Sequence, residues 1–163
     1  RTLDIIKYFQ AKGSFVIYFS SNLVFDGNIE KVCTNQIQNP TTEYGSQKCI
    51  LEKELLNFSN IAIIRLTKII DHDFVLFKHW ISSLILKNEI YPFYDMKMSP
   101  VWIDDLVNFL SLFISNPING IFHVSSISDI TYEEAAYHIA KKLCLNQNLI
   151  NGLFQLFKNR WIF

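Results

Sequence analysis

Two short runs of the sequence are apolar almost throughout, FVIYF at residues 15–19 and IAIIRL at residues 61–66. Runs that lack a polar–apolar alternation are typical of strands buried on both faces of a parallel sheet. Segments with helical periodicity precede, separate and follow them. The predicted helices cover residues 3–13, 44–58, 74–86, 103–114 and 131–143. In the second of them we expect Ile50, Leu51 and Leu55 to face inward, with the polar Lys48, Glu52, Lys53 and Glu54 around the helix. Thr131 and Glu134 predict a capping box at the start of the last. The order of helices and strands along the chain predicts an α/β fold.

Composition excludes several classes of protein. Half of the residues are hydrophobic and the formal net charge is +0, so the chain carries no field that would hold nucleic acid. Cys33, Cys49 and Cys144 are odd in number and form no C-x-x-C pair, which indicates reduced thiols in the cytoplasm. The four histidines show no metal-binding spacing. Polar residues interrupt the apolar segment at 149–163, so no membrane span is predicted.

Small polar side chains follow the first apolar run. Ser20, Ser21 and Asn22 come directly after residues 15–19. In open α/β sheets, ligands bind beyond the carboxyl ends of the strands, so this triplet is a candidate for a functional site. A polar surface turn explains the same three residues when they are taken alone.

Tyr44 and Lys48 stand four residues apart at the start of a predicted helix, which places them on one face. By itself a Y-x-x-x-K pair usually means two solvated side chains. The spacing becomes specific in combination with the serine at a strand end, with Pro40 ahead of the tyrosine and with Gly45 after it.

This combination resembles the extended short-chain dehydrogenase/reductase family, whose pattern is S-[ST]-x-x-V-[FY]-x-G followed by P-x-x-x-Y-G-x-[ST]-K. The chain is most similar to the dTDP-4-dehydrorhamnose reductase branch, with nucleotide-sugar epimerases and dehydratases as near relatives. The matching residues are Ser20, Ser21, Val24, Phe25, Gly27, Pro40, Tyr44, Gly45 and Lys48.

Further segments extend the resemblance over residues 1–145, while residues 146–163 form a tail of unclear role. VFDG and IIRLT look like that branch, as do YDMKMSPVWIDDL and GIFHVSS. Asn22 stands where the reductases usually carry Asp, and Gln47 replaces a small hydroxyl residue. Met96, Met98 and Val101 replace Gln, Gly and Thr in the substrate-side segment. These departures concern the identity of the sugar more than the type of reaction.

The resemblance implies a partial Rossmann-like parallel sheet with helices on both faces, plus part of a substrate-binding subdomain. It implies an NAD(P)-dependent reductase of a nucleotide-sugar, with an epimerase or dehydratase, or a non-catalytic regulatory relative, as alternatives. Tyr44 would donate a proton, Lys48 with Tyr44 would contact the NADPH or NADH ribose, and Ser21 would hold the reacting oxygen. Asn22, Pro100 and Trp102 are candidate substrate contacts. A cytoplasmic protein that forms a homodimer is expected.

The chemistry accounts for these residue types. A free phenol has a pKa of about 10, so its anion is costly at neutral pH. A nearby ammonium favours the phenolate and so lowers the pKa of a phenol. A lysine one helical turn from a tyrosine is therefore suited to make that tyrosine a general acid.

A phosphate-binding loop is missing from the sequence. The five glycines, at 13, 27, 45, 120 and 152, form no G-x-G-x-x-G segment. Such a segment lets backbone amides approach a dinucleotide pyrophosphate. In the resembled family the loop precedes the part that this chain matches, so we expect a truncated family member. Alone, it should show no turnover and at most weak dinucleotide binding.

Overall fold

The computed structural model describes residues 1–155, which contain five α-helices and seven strands. They divide into two compact units, Arg1–Thr67 with Asp105–Val124, and Lys68–Asp104 with the segment from Ser125 onward. In chain order the elements are α1 Thr2–Ala11, β1 Val16–Ser21, α2 Glu43–Leu55, β2 Ile61–Leu66, β3 Lys68–Ile70, α3 Val75–Ile85, β4 Lys97–Met98, β5 Pro100–Trp102, α4 Ile103–Ser115, β6 Gly120–Val124, β7 Ile130–Thr131 and α5 Tyr132–Lys142.

The first unit contains a three-stranded parallel sheet in the order β1-β2-β6. β2 lies in the centre, and five of its six residues are buried. This is the environment that the apolar run at 61–66 predicts, because a central parallel strand is covered on both faces. The carboxyl ends of the three strands lie at the same edge of the sheet.

Helices cover both faces of this sheet. Ile6 of α1 and Leu55 of α2 pack with Tyr18 and Ile63 on one face. On the other face, the ring of Phe113 from α4 lies 5.1 Å from that of Phe122. The neighbouring Ile121 packs with the first cluster, as the alternation of side chains along a strand requires. The predicted α/β architecture is confirmed.

The second unit has its own core. It contains two short sheets, parallel β3-β5 and antiparallel β4-β7, and the helices α3 and α5. Trp80 and Leu84 of α3 pack with Ala136 and Ala140 of α5. The predicted capping box of α5 is present: the Thr131 side chain accepts from the Glu134 amide and the Glu134 carboxylate from the Thr131 amide.

Three details differ from the sequence-based expectation. β1 extends through Ser20 and Ser21, because both residues continue the pairing with β2, opposite Arg65 and Leu66. Ile50, predicted to face inward, is 63% exposed. Glu52, expected among the polar residues around the helix, is only 1% exposed, since an arginine on β2 neutralises it.

The segment that follows α5 pairs with other residues of the second unit. A 3₁₀ turn covers Gln147–Leu149, and isolated bridges join Ile90 to Ile150 and Phe93 to Leu153. The predicted boundary at residue 145 stays a prediction. The last part of the predicted tail, residues 156–163, lies outside the described residues.

Candidate active site

Ser21 ends β1 and begins the next turn. It is buried, and its Oγ accepts a hydrogen bond of 3.2 Å from the amide of Leu23. A hydroxyl side chain suits this position, because the first amides of a helical turn have no carbonyl partner within the turn and the hydroxyl oxygen can accept from one of them. The turn is a 3₁₀ helix over Asn22–Val24, and Asn22 Oδ1 lies 3.5 Å from Ser21 Oγ. The predicted catalytic serine therefore caps the turn that follows its strand.

The start of α2 packs tightly against that turn. Thr42 caps the helix by accepting from the Gly45 amide at 3.0 Å. A Cβ on Gly45 would lie 2.1 Å from the carbonyl oxygen of Leu23, so only glycine fits there. Gly45 thus allows the helix that carries Tyr44 to approach the turn that Ser21 caps.

Lys48 joins the helix to the strand. Its Nζ donates a 2.7 Å hydrogen bond to the carbonyl oxygen of Phe19, and it lies 5.5 Å from the centroid of the Tyr44 ring. The predicted pairing of Tyr44 with Lys48 on one helix face is therefore present. Tyr44 is 47% exposed, so a ligand can reach its ring.

Burial and a neighbouring carboxylate set the charge balance around Lys48. Burial lowers the pKa of Lys48, and the Glu52 carboxylate acts in the opposite direction. Burial, followed by the charges of Glu52 and Tyr44, raises the pKa of Tyr18 to about 12. Tyr18 therefore stays a neutral phenol across the physiological range.

A buried ion pair lies one helical turn beyond Lys48. The Arg65 Nη2 atom is 2.7 Å from Glu52 Oε2, and the Arg65 Nε atom is 3.1 Å from both carboxylate oxygens. The two side chains are 3% and 1% exposed. Gln38 also donates to Glu52. This fork geometry ties α2 to the central strand.

The same arginine anchors the long connection between β1 and α2. Arg65 Nη1 donates to the Thr34 carbonyl at 3.0 Å and lies 3.1 Å from His123 Nε2. His123 Nδ1 lies 3.1 Å from the Val32 carbonyl. Because arginine only donates, His123 Nε2 is the acceptor and Nδ1 carries the proton. Burial, then the charge of Arg65, lowers the pKa of His123.

Sequence reasoning missed this network. Its signal was a charged or titratable side chain at the carboxyl end of each of two apolar strands, Arg65 in IAIIRL and His123 in GIFHV. A polar residue at such an inward position needs a buried partner. Glu52, four residues after Lys48, lies on the helix face that provides it.

The predicted substrate contacts lie in both units. Asn22 is exposed in the 3₁₀ turn of the first unit. Pro100 and Trp102 belong to β5 of the second unit, where the Trp102 ring is 43% exposed and lies 5.2 Å from that of His72. Asp26 accepts from the Asn28 amide at 2.9 Å, which is the contact of a turn residue.

Within residues 1–155, no group of three or more His, Cys, Asp or Glu side chains could hold a metal ion. No helix of the described part of the chain is long and apolar enough to cross a membrane.

A parallel sheet with helices on both faces, and with a serine, a tyrosine and a lysine near the carboxyl end of one strand, defines a Rossmann-like α/β protein. The chain belongs to the RmlD substrate binding domain family, whose family model matches residues 2–155. A comparison with curated proteins gives no match.

Solved structures share this fold. The dTDP-4-dehydrorhamnose reductase of Bacillus anthracis str. Ames, in complex with NADP, has a TM-score of 0.82 and 21% identity over 90% of this chain and 53% of that chain. The dTDP-4-dehydrorhamnose reductase from Yersinia enterocolitica has a TM-score of 0.78 and 26% identity, over 92% of this chain and 55% of that chain.

A dehydratase shares the fold as well. The dTDP-glucose 4,6-dehydratase of the same Bacillus strain, in complex with NAD, has a TM-score of 0.80 and 11% identity, over 94% of this chain and 54% of that chain. The chain therefore spans about half the length of these solved relatives.

Proposed function

We propose that the first unit provides the residues that donate the proton in a reductase, which uses NADPH or NADH to reduce a nucleotide-linked sugar ketone. The observation that carries the proposal is the position of Lys48, 2.7 Å from the Phe19 carbonyl and 5.5 Å from the Tyr44 ring centroid. An ammonium beside a phenol stabilises the phenolate that remains after proton donation. The membership of the chain in its family supports the same activity.

Each of the three side chains has a separate role in this proposal. Tyr44 donates a proton to the sugar oxygen as carbon is reduced, and its exposure leaves room for the substrate. Ser21 accepts from Leu23, and its hydroxyl donates a long, 3.5 Å hydrogen bond to Asn22 Oδ1, which a bond to the same sugar oxygen would replace. Lys48 stabilises the phenolate and holds the ribose of the cofactor.

The residues present fit the ribose end of a nicotinamide dinucleotide, which supplies the hydride when it is bound. An ammonium has three donors, and the Phe19 carbonyl takes one, so two of those on Lys48 remain for ribose hydroxyls. Tyr44 is proposed to contact the same ribose. None of the five glycines lies in a G-x-G-x-x-G loop, so the proposal assigns no residue to the pyrophosphate.

Asn22, Pro100 and Trp102 are proposed to contact the nucleotide-sugar. Asn22 lies next to Ser21, and its amide can both donate to and accept from sugar hydroxyls. The exposed ring of Trp102 offers a face for a base or a sugar. These assignments rest on the resemblance of the segments that contain them.

We also propose a cytoplasmic location and a homodimer. The free thiols Cys33 and Cys144 are exposed, which suits a reducing compartment. Ile5, Tyr8 and Phe9 of α1 are 53%, 61% and 47% exposed, and adjoining apolar side chains of this size favour a subunit interface. Light scattering of the purified chain tests the dimer, and a monomer at all concentrations would reject it.

The test of the reductase uses a longer protein, in which this chain replaces the half that it matches in the Bacillus anthracis str. Ames reductase, whose structure is a complex with NADP. Oxidation of NADPH or NADH with dTDP-4-dehydrorhamnose is followed by absorbance, and the sugar product by mass spectrometry. Tyr44→Phe should lower kcat by about 10²–10⁴-fold, the range that general acid catalysis supplies. Tyr137→Phe, at a tyrosine of the second unit, is the matched control and should keep the activity.

An unchanged kcat in Tyr44→Phe would reject Tyr44 as the proton donor. A product that is epimerised or dehydrated, with no net oxidation of the cofactor, would assign the chain to the epimerase or dehydratase alternative. A folded, cofactor-binding protein without any turnover would favour the non-catalytic alternative.

A further inference from the structure

The ammonium group of Lys48 lies close to two aromatic rings. Its Nζ is 4.7 Å from the centroid of the Tyr18 ring and 5.5 Å from that of the Tyr44 ring. Both distances are within the range of a cation–π interaction, in which the negative face of a ring attracts a cation. The shorter contact is with Tyr18, which belongs to the apolar run at 15–19 and lies outside the family pattern that starts at Ser20.

Tyr18 is fixed more firmly than Tyr44. It is 8% exposed and belongs to the cluster that includes Leu55 and Ile63, whereas Tyr44 is 47% exposed. Phe19, the next residue of β1, provides the carbonyl that accepts from Lys48 Nζ. Two consecutive strand residues therefore hold the ammonium, one through its ring and one through its backbone.

We propose that Tyr18 is a positioning residue whose ring, packed in the core of the first unit, fixes the Lys48 ammonium beside Tyr44. The proposal rests on the proposed function, because it concerns the lysine assigned to that reaction. Tyr18 acts through Lys48 and touches neither substrate nor cofactor.

The ring of Tyr18 performs this role, and its hydroxyl does not. Among the described residues, the buried hydroxyl of Tyr18 has no hydrogen-bond partner, and neither has that of Ser20 two residues later. A buried hydroxyl without a partner lowers stability, so packing alone would favour phenylalanine at position 18. The raised pKa of Tyr18 keeps it neutral, so it provides no negative charge for Lys48.

The experiment measures the position of Lys48 directly, by NMR of the 163-residue chain with ¹³C-labelled lysine. In the unmodified chain, we expect nuclear Overhauser effects between the Lys48 ε-protons and the Tyr18 ring protons. The ring current should also shift the Lys48 ε-protons upfield. Tyr18→Phe should keep that shift, and Tyr18→Leu should remove most of it.

A second lysine is the matched control. Lys12 Nζ lies 5.7 Å from the ring of Tyr8, but that ring is 61% exposed at the surface of α1. An exposed pair is mobile, so Tyr8→Leu should change the Lys12 ε-protons much less than Tyr18→Leu changes those of Lys48.

A double-mutant cycle between Tyr18→Leu and Lys48→Met adds a thermodynamic measurement. The cation–π contact should appear as a coupling of about two- to five-fold in the folding equilibrium. If Tyr18→Leu does not fold, the Overhauser effects in the unmodified chain still test the contact. A cycle between Tyr18→Phe and Lys48→Met should then show no such coupling, because phenylalanine keeps the ring.

Two results would overturn the proposal: no Overhauser effect between Lys48 and Tyr18 in the unmodified chain, or Lys48 ε-shifts that Tyr18→Leu leaves unchanged. Neither measurement requires a cofactor or turnover. A longer protein that lacks reductase activity while Lys48 keeps its ring-current shift would reject the proposed function alone.

Discussion

A methyl group on Gly45 would lie 2.1 Å from the carbonyl oxygen of Leu23 and 2.9 Å from its carbonyl carbon. Both are backbone atoms, which cannot rotate away as a side chain can. The contact sets how closely the helix that carries Tyr44 and Lys48 approaches the turn that Ser21 caps.

Gly45→Ala should therefore destabilise the chain. In an exposed helix the same change is stabilising by about 1 kcal/mol. Here overpacking should lower the free energy of unfolding by about 1–3 kcal/mol, measured by urea denaturation. Gln47→Ala, at an exposed position of the same helix, is the control and should have little effect. A stabilised Gly45→Ala chain would contradict the close contact.

Arg65→Met should be among the most damaging single changes in the first unit. It leaves the Glu52 carboxylate, which is 1% exposed, without its charged partner. Removing one member of a buried pair costs about 3–5 kcal/mol of stability. Replacing both residues together, as Glu52→Leu with Arg65→Met, should cost less than Arg65→Met alone, because no buried charge remains.

The exposed ion pair between Lys78 and Asp73 is the control for this prediction. Asp73→Ala should change the unfolding midpoint much less than Arg65→Met does, because solvent screens the pair. If the two changes lower the urea midpoint by similar amounts, the buried pair does not contribute more to stability than the exposed pair, and the prediction is wrong.

Stability should fall when the chain is acidified through the titration range of His123. Its pKa in the folded chain is lowered below the ordinary value of 6.5. Just below pH 6.5 the unfolded chain therefore binds more protons, so the free energy of unfolding decreases as the pH falls through 6.5. A protonated His123 would also point an N–H at the Arg65 guanidinium. The other charged group that acts on His123 is the Glu52 carboxylate, which favours the protonated form.

His123→Gln should flatten the pH dependence in this range, because glutamine does not titrate. His138→Gln, at an exposed histidine, should leave it in place. Chemical denaturation at a series of pH values measures both. An unchanged slope in His123→Gln would assign the acid sensitivity to other groups.

Lys48 and Ser21 should differ in kinetics in the longer protein that tests the reductase. Lys48→Met should raise KM for the cofactor and lower kcat, because it removes both the ribose contact and the charge beside Tyr44. Ser21→Ala should lower kcat less than Tyr44→Phe does, because one neutral hydrogen bond contributes about 0.5–1.5 kcal/mol. Steady-state kinetics with both substrates varied separates the two. A Lys48→Met protein with unchanged KM would reject the ribose contact.

The sequence by itself determined the local elements of this protein. The apolar runs at 15–19 and 61–66 became parallel strands, and Thr131 with Glu134 capped α5, because periodicity and capping depend on residues close in the chain. The four-residue spacing of Tyr44 and Lys48 placed them on one helix face for the same reason.

Only the tertiary structure decided which polar residues are buried and what they contact. Glu52 looks like any helical surface residue until Arg65, 13 positions away, lies against it. Tyr18 looks like an ordinary strand residue until α2 brings Lys48 over its ring. The partners of Arg65 and His123 come from a connection up to 91 positions away, so their burial depends on how distant segments pack. Side-chain hydrophobicity predicts a buried Ile50 and an exposed Glu52, but the structure shows the opposite, because the ion pair with Arg65 allows the Glu52 carboxylate to be buried.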